Sequence, residues 1–136
     1  MDAAGTGGPT IADVVFPEQL NHRGTLFGGA ALALMDRAAF VAASRSARTD
    51  VVCAGVEKVE FKHPIEAGDL MEASAVVERR GRRSMTVGVT VVAERLRTGE
   101  RREALHGTFH MVATEVPARW AEDEASEETA VQEGSV

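Results

Sequence analysis

Between residues 30 and 43 the chain is apolar at nearly every position, and Asp36 and Arg37 are the only charges. Alanine, leucine and methionine dominate the run, all strong helix formers. The pattern predicts a helix over about 29–46, roughly 25 Å long at 1.5 Å per residue. A bilayer span takes about 20 apolar residues, so this shorter run is expected as a helix buried on all sides in the core of a domain. Around it the pattern reads as strands. Residues 11–16 form a short apolar strand closed by Pro17, and 18–27 form a polar loop with Asn21 and Gly24 as turn formers. In 56–63, Val59, Phe61 and His63 alternate with Lys58, Glu60 and Lys62. Pro64 and Gly68-Asp69 mark a turn, 70–79 runs into a tight hairpin at Arg80-Gly81, and 84–95 sets Met85, Val87, Val89, Val91 and Ala93 on one face. Thr98-Gly99 turns the chain into a last strand, 103–115.

One long helix followed by a meander predicts an α+β fold in which a curved antiparallel sheet of five to six strands wraps the helix. Apolar residues fall on both strand faces, as at Val76-Val77 and Val91-Val92. With open sheet edges as well, self-association is the expected way to cover them.

Length and charge add boundaries. At 136 residues the chain is one domain. Its net charge of -6 comes from residues 121–136, which hold six of the 21 acids and no base, so the remainder is neutral. We expect a disordered start over 1–9, a folded domain over 10–118, and an acidic tail over 119–136 that is disordered or loosely helical. A neutral body with few aromatics does not suit nucleic acid. The first nine residues lack the apolar stretch of a signal peptide, and Cys53, the single cysteine, excludes an internal disulfide. Both point to the cytoplasm, with no membrane partner. One cysteine and four scattered histidines give no ligand spacing, so no metal is expected.

The candidate chemistry starts at Asp36, a carboxylate inside an apolar helix. It either pairs locally with Arg37, Arg45 or a backbone amide, or sits where charge is used. Gly28-Gly29 at the helix start favours the second reading, because bare amides at a helix N-terminus bind anions. Gly29 and Asp36 are seven residues apart, nearly two turns, and share one side of the helix. Arg79, Arg80, Arg82 and Arg83 crowd one hairpin, either to bind phosphate or simply to solvate it. His63 is expected to pack locally, His106 and His110 to lie on the sheet surface, and Cys53 to be a buried small apolar side chain. Trp120 is expected to pack.

Residues 21–36 fit N-x-x-G-x-x-F-G-G-x-x-L-x-x-M-D at every fixed position. With Val56-Glu57 through Phe61, Pro64 and Gly68-Asp69, and with the segment from Arg80 to Ser84, the chain from about 10 to 115 resembles the hotdog-fold acyl-CoA thioesterases, in the branch of YciA-like proteins and cytosolic long-chain acyl-CoA hydrolases. The resemblance implies a hotdog fold and a dimer with two active sites at its interface, and leaves open whether dimers assemble into tetramers or hexamers. It implies a hydrolase of acyl-CoA in lipid metabolism that needs no cofactor, coenzyme A being part of the substrate. By position, Asp36 becomes the general base or nucleophile, the Gly28 or Gly29 N–H binds the thioester oxygen, and Asn21, from the partner subunit, orients thioester or water. His22, Gly24, Phe27, Arg79, Arg80, Arg82, Arg83 and Ser84 become substrate contacts. Two alternatives stand beside this reading. One is a non-catalytic acyl-CoA binder; the other is an acyl-thioester dehydratase or hydratase, which would need a histidine that the helix lacks.

Overall fold

The computed structural model describes residues 8–118 and 120. The expected disordered start and acidic tail lie outside the described residues, apart from Gly8, Pro9 and Trp120. Strand β1 (Thr10–Val14) leads through a short 3-10 turn (Pro17–Gln19) to helix α1 (Gly28–Ala47), followed by β2 (Val51–Phe61), β3 (Asp69–Arg80), β4 (Ser84–Arg95) and β5 (Arg101–Ala113). The five strands form one antiparallel sheet in the order β1-β3-β4-β5-β2. One helix against one such sheet is the α+β layout that the pattern predicts and the hotdog fold that the resemblance implies.

The β4 alternation holds as read: Met85, Val87, Val89, Val91 and Ala93 are all at most 1% exposed. Facing them, Ala31, Leu34, Met35, Ala38, Ala39 and Ala42 bury one side of α1. Alanines on that side let helix and sheet approach closely, so the core is dense without large side chains. The helix closes at Arg48, which takes the left-handed conformation (φ 53°) and donates its N–H to the Ser44 carbonyl at 2.7 Å.

The other side of α1 is not buried. Ala33, Asp36, Arg37 and Phe40 are exposed, so the expectation of a helix covered all round fails within one chain. A single sheet has one concave face and covers only the half of the helix turned toward it. The apolar residues Ala33 and Phe40 therefore stay exposed beside Asp36 and Arg37.

Strand β2 departs furthest from its sequence pattern. It begins at Val51 and is interrupted by two irregularities, between Cys53 and Gly55 and between Glu57 and Glu60. An inserted residue moves the following side chains to the opposite face. Val59 is accordingly half-buried while Phe61 is 61% exposed. Cys53, expected in the core, is exposed, because β2 is an edge strand bonded only to β5. Lys58 sits at φ 55°, a region where a non-glycine residue carries about 1–2 kcal/mol of strain. Lys58→Gly should therefore raise unfolding stability by up to about 1 kcal/mol after glycine's own entropy loss, read as a higher urea midpoint; a lower midpoint would mean that the lysine side chain contributes more than the strain removes.

The turn between β2 and β3 is pinned by a buried acid. Asp69 is 2% exposed. Its Oδ2 accepts the Glu66 N–H at 3.0 Å and an Arg102 Nη2–H at 3.4 Å, and its Oδ1 lies 3.6 Å from Arg95 Nε. Arg102 Nη2 also donates to the Pro64 carbonyl at 3.1 Å. The Ile65 carbonyl in turn accepts the Leu26 N–H at 2.7 Å, so this turn carries the loop that feeds the helix.

Candidate active site

That loop is organised by Asn21. Its Oδ1 accepts the N–H groups of Arg23 (2.8 Å) and Thr25 (3.2 Å), and its Nδ2 donates to Thr25 Oγ1 at 3.0 Å. Gly24 takes φ 80°, which suits glycine, and donates its N–H to the Asn21 carbonyl. His22 is exposed on the same loop. Phe27, 54% exposed, opens the helix in an extended conformation and supplies no side-chain cap. The first N–H groups of a helix have no acceptor within it, and those of Gly28 and Gly29 are among them.

The two glycines face different surroundings. A Cβ on Gly28 would stand 3.2 Å from two ring carbons of Phe61, whereas one on Gly29 would meet nothing within 4 Å. Each glycine lines its own cavity. Gly29 shares one of about 490 Å³ with Leu32, Asp36, Cys53, Val56 and Val59. Gly28 lines another of about 250 Å³ with Ala31, Phe61, Ile65 and Leu105. The seven-residue spacing thus places Gly29 and Asp36 in one cavity, as read.

Asp36 is exposed in this cavity and has no salt-bridge partner among the described residues. Cys53, Val56 and Val59 of β2 and Phe109 of β5 are lining residues that the sequence pattern does not point to. Burial first, then the Asp36 charge, pushes the Cys53 thiol above its ordinary value. It is therefore protonated near neutral pH, and its Sγ donates to the Gly55 carbonyl at 3.7 Å. Such a thiol is a poor nucleophile.

The arginine hairpin lies elsewhere in the chain. Arg80 stacks on Trp120 at 4.8 Å from the ring centroid, and Trp120 Nε1 donates to the Ser46 carbonyl at 3.0 Å. Arg83 Nη1 donates to the Thr114 carbonyl at 3.4 Å, and the Ser84 carbonyl accepts the Gly81 N–H. Arg79 and Arg82 are exposed. These contacts tie the hairpin to the C-terminal end of α1, roughly 15 Å along the helix from Asp36 at 1.5 Å per residue. Asn21 is likewise absent from the lining of the Asp36 cavity. One chain brings Asp36 and Gly29 together, and leaves Asn21 and the arginines outside. The histidines behave as surface groups: His106 Nδ1 meets Thr90 Oγ1 at 3.0 Å and His110 Nε2 meets Glu57 Oε1 at 2.8 Å, while His63 is exposed. A carboxylate beside open helix amides can take a proton from water while the amides stabilise an oxyanion.

A family model described as the thioesterase superfamily matches residues 23–100, more than half of the chain. The chain is 37% identical over 99 residues to the uncharacterized acyl-CoA thioester hydrolase YkhA of Bacillus subtilis, covering 73% of this chain and 58% of that protein. In three dimensions it is similar to an acyl-CoA hydrolase from Agrobacterium tumefaciens, with a TM-score of 0.76 and 47% identity over 82% of this chain and 44% of that one. It is also similar to HI0827, a hexameric broad specificity acyl-coenzyme A thioesterase, with a TM-score of 0.80 and 25% identity over 91% and 96% of the two chains. The chain spans about half the length of the first two. The matched span contains the glycine pair, the acid two turns on and the bulged strand beside it, and the chain belongs to the thioesterase superfamily.

Proposed function

We propose that this protein hydrolyses acyl-CoA thioesters to a carboxylic acid and free coenzyme A, in a site that a second copy of the chain completes. The observation that carries the reading is the single cavity holding both Asp36 and Gly29 at the open helix start. The thioester carbonyl oxygen accepts from the Gly28 and Gly29 amides. Asp36 takes a proton from water as the water oxygen attacks the carbonyl carbon. Collapse of the tetrahedral adduct breaks the C–S bond, and the leaving thiolate recovers the proton. Nothing in this sequence calls for a metal or redox cofactor. Release of free thiol from acyl-CoA tests the reading; binding without release would make the protein an acyl-CoA binder.

The second copy covers what one chain leaves open. Val52 and Val56 on the unpaired β2 edge are 55% and 45% exposed, and Phe40 on the outer side of α1 is 50% exposed. An open edge flanked by apolar side chains favours pairing with its own copy. In that arrangement Asn21 of one copy serves Asp36 of the other. Chains carrying Asn21→Asp, which keeps the turn acceptor but loses the amide donor, are expected to regain up to about a quarter of wild-type activity when mixed with Asp36→Ala chains, since random pairing leaves one intact site in half of the dimers. No recovery in exchanged dimers would place Asn21 and Asp36 of one site on the same chain.

The phosphates of coenzyme A are assigned to the hairpin, where Arg79 and Arg82 point outward. Replacing both by alanine should raise KM for CoA esters more than for pantetheine esters of the same acid. An equal effect on both would return the hairpin to a solvating role. An exposed lone thiol fits a reducing cytoplasm, and the products place the reaction in lipid metabolism.

A further inference from the structure

We infer that the arginine hairpin is a docking surface for the chain's own acidic segment, residues 121–136, which competes there with the phosphates of coenzyme A. The docking stands on charge and placement alone. The competition rests on the hydrolase reading above, which assigns those phosphates to the hairpin.

The start of the acidic segment is tied to the hairpin. Trp120 is 3% exposed, stacks on the Arg80 guanidinium at 4.8 Å and donates its Nε1–H to the Ser46 carbonyl at 3.0 Å. Two more bonds join the residues before it to the same turn. The Ala113 N–H donates to the Arg83 carbonyl at 2.7 Å, and Arg83 Nη1 donates to the Thr114 carbonyl at 3.4 Å. The chain beyond residue 120 therefore sets out from beside Arg80.

Charge complements this placement. Residues 79–83 hold four arginines and no acid, and residues 121–136 hold six acids and no base. Arg79 and Arg82 are exposed and make no salt bridge among the described residues. Glu122, Asp123 and Glu124 follow Trp120 closely, the last of them by a span of at most about 14 Å, enough to bring a carboxylate to either guanidinium group. One exposed ion pair shifts an equilibrium by no more than about fivefold. A tether this short, however, holds the acids at an effective concentration on the order of millimolar, so the pairs form although each is weak. Carboxylate and phosphate engage the guanidinium fork in the same way, and one occupant therefore excludes the other.

The test uses the full chain without substrate. Phenylglyoxal, an uncharged reagent, modifies arginines that no anion covers, and mass spectrometry maps each modified site. Wild type is compared with a variant carrying Glu122→Gln, Asp123→Asn, Glu124→Gln, Glu127→Gln, Glu128→Gln and Glu133→Gln. Arg79 and Arg82 should be modified about two- to fivefold faster in the variant. Arg97, exposed in the turn at the far end of β4, should keep its rate, and sodium chloride at about 0.5 M should erase the difference at the hairpin. Unchanged rates at Arg79 and Arg82, or an equal rise at Arg97, would overturn the docking. Adenosine 3',5'-bisphosphate, a fragment of coenzyme A with no thioester, then tests the competition. It should protect Arg79 and Arg82 at a concentration about two- to fivefold lower in the variant; protection at equal concentrations, or none, would overturn the competition. Thiol release from octanoyl-CoA reports separately on the hydrolase reading, so either result is readable without the other.

Discussion

Replacing Asp36 by alanine should lower kcat for the proposed acyl-CoA hydrolysis by roughly 10² to 10⁴, the range for loss of a positioned general base, and should leave the fold intact. The two halves of this result have separate causes. Asp36 is exposed and makes no salt bridge among the described residues, so its removal should change unfolding free energy by no more than about 0.5 kcal/mol. The base acts mainly in the transition state, so kcat should fall far more than KM changes. Cys53 gives an internal check. The Asp36 charge is the second cause, after burial, of its raised thiol pKa. Without that charge the thiol ionises at lower pH and should react faster with iodoacetamide at pH 8. Near-normal turnover in a folded variant would remove Asp36 from the chemistry.

Asp69→Ala should have the largest effect on stability, a loss of about 3–5 kcal/mol and a fall in Tm on the order of 10 °C. Removing the carboxylate leaves the largely buried Arg102 guanidinium with only the exposed Glu100, at 3.9 Å, as its acid, and the Glu66 N–H without its acceptor. A buried charge stripped of its partner is the expensive case. Asp69→Asn keeps an acceptor for that N–H and should lose distinctly less. A loss below about 1 kcal/mol for the alanine variant, measured by urea unfolding, would show that the turn is held by its backbone alone. The consequence reaches the site, because the same turn carries Ile65 and, through it, Leu26 at the helix entry.

The parts legible in the sequence were those with an unbroken period. Five inward residues of β4 alternate without interruption, and Gly29 and Asp36 are separated by whole helical turns, so both readings needed only the geometry of one element. The motif over residues 21–36 then named the family. What stayed hidden depends on contacts between elements. The two bulges in β2 leave little local trace, since Glu57, Lys58 and Glu60 look like an ordinary polar face; the register with β5 decides them. Cys53 reads as core in sequence but lies on this edge strand, and stands instead beside Asp36. The exposed side of α1 was hidden for another reason: an apolar residue such as Phe40, which the single sheet leaves exposed, looks the same in sequence as one turned to the core. Asn21 shows a third limit. The motif marks it as functional, while its hydrogen bonds in one chain are those of a loop organiser.

The proposed reaction is cleavage of acyl-CoA in the cavity shared by Gly29 and Asp36. Free thiol released from short, medium, long and aromatic acyl-CoAs, followed with a disulfide reagent for wild type beside Asp36→Asn, tests it most directly. The account predicts steady thiol release by the wild type that the asparagine variant loses. No release from any ester, with acyl-CoA binding still measured by calorimetry, would contradict it.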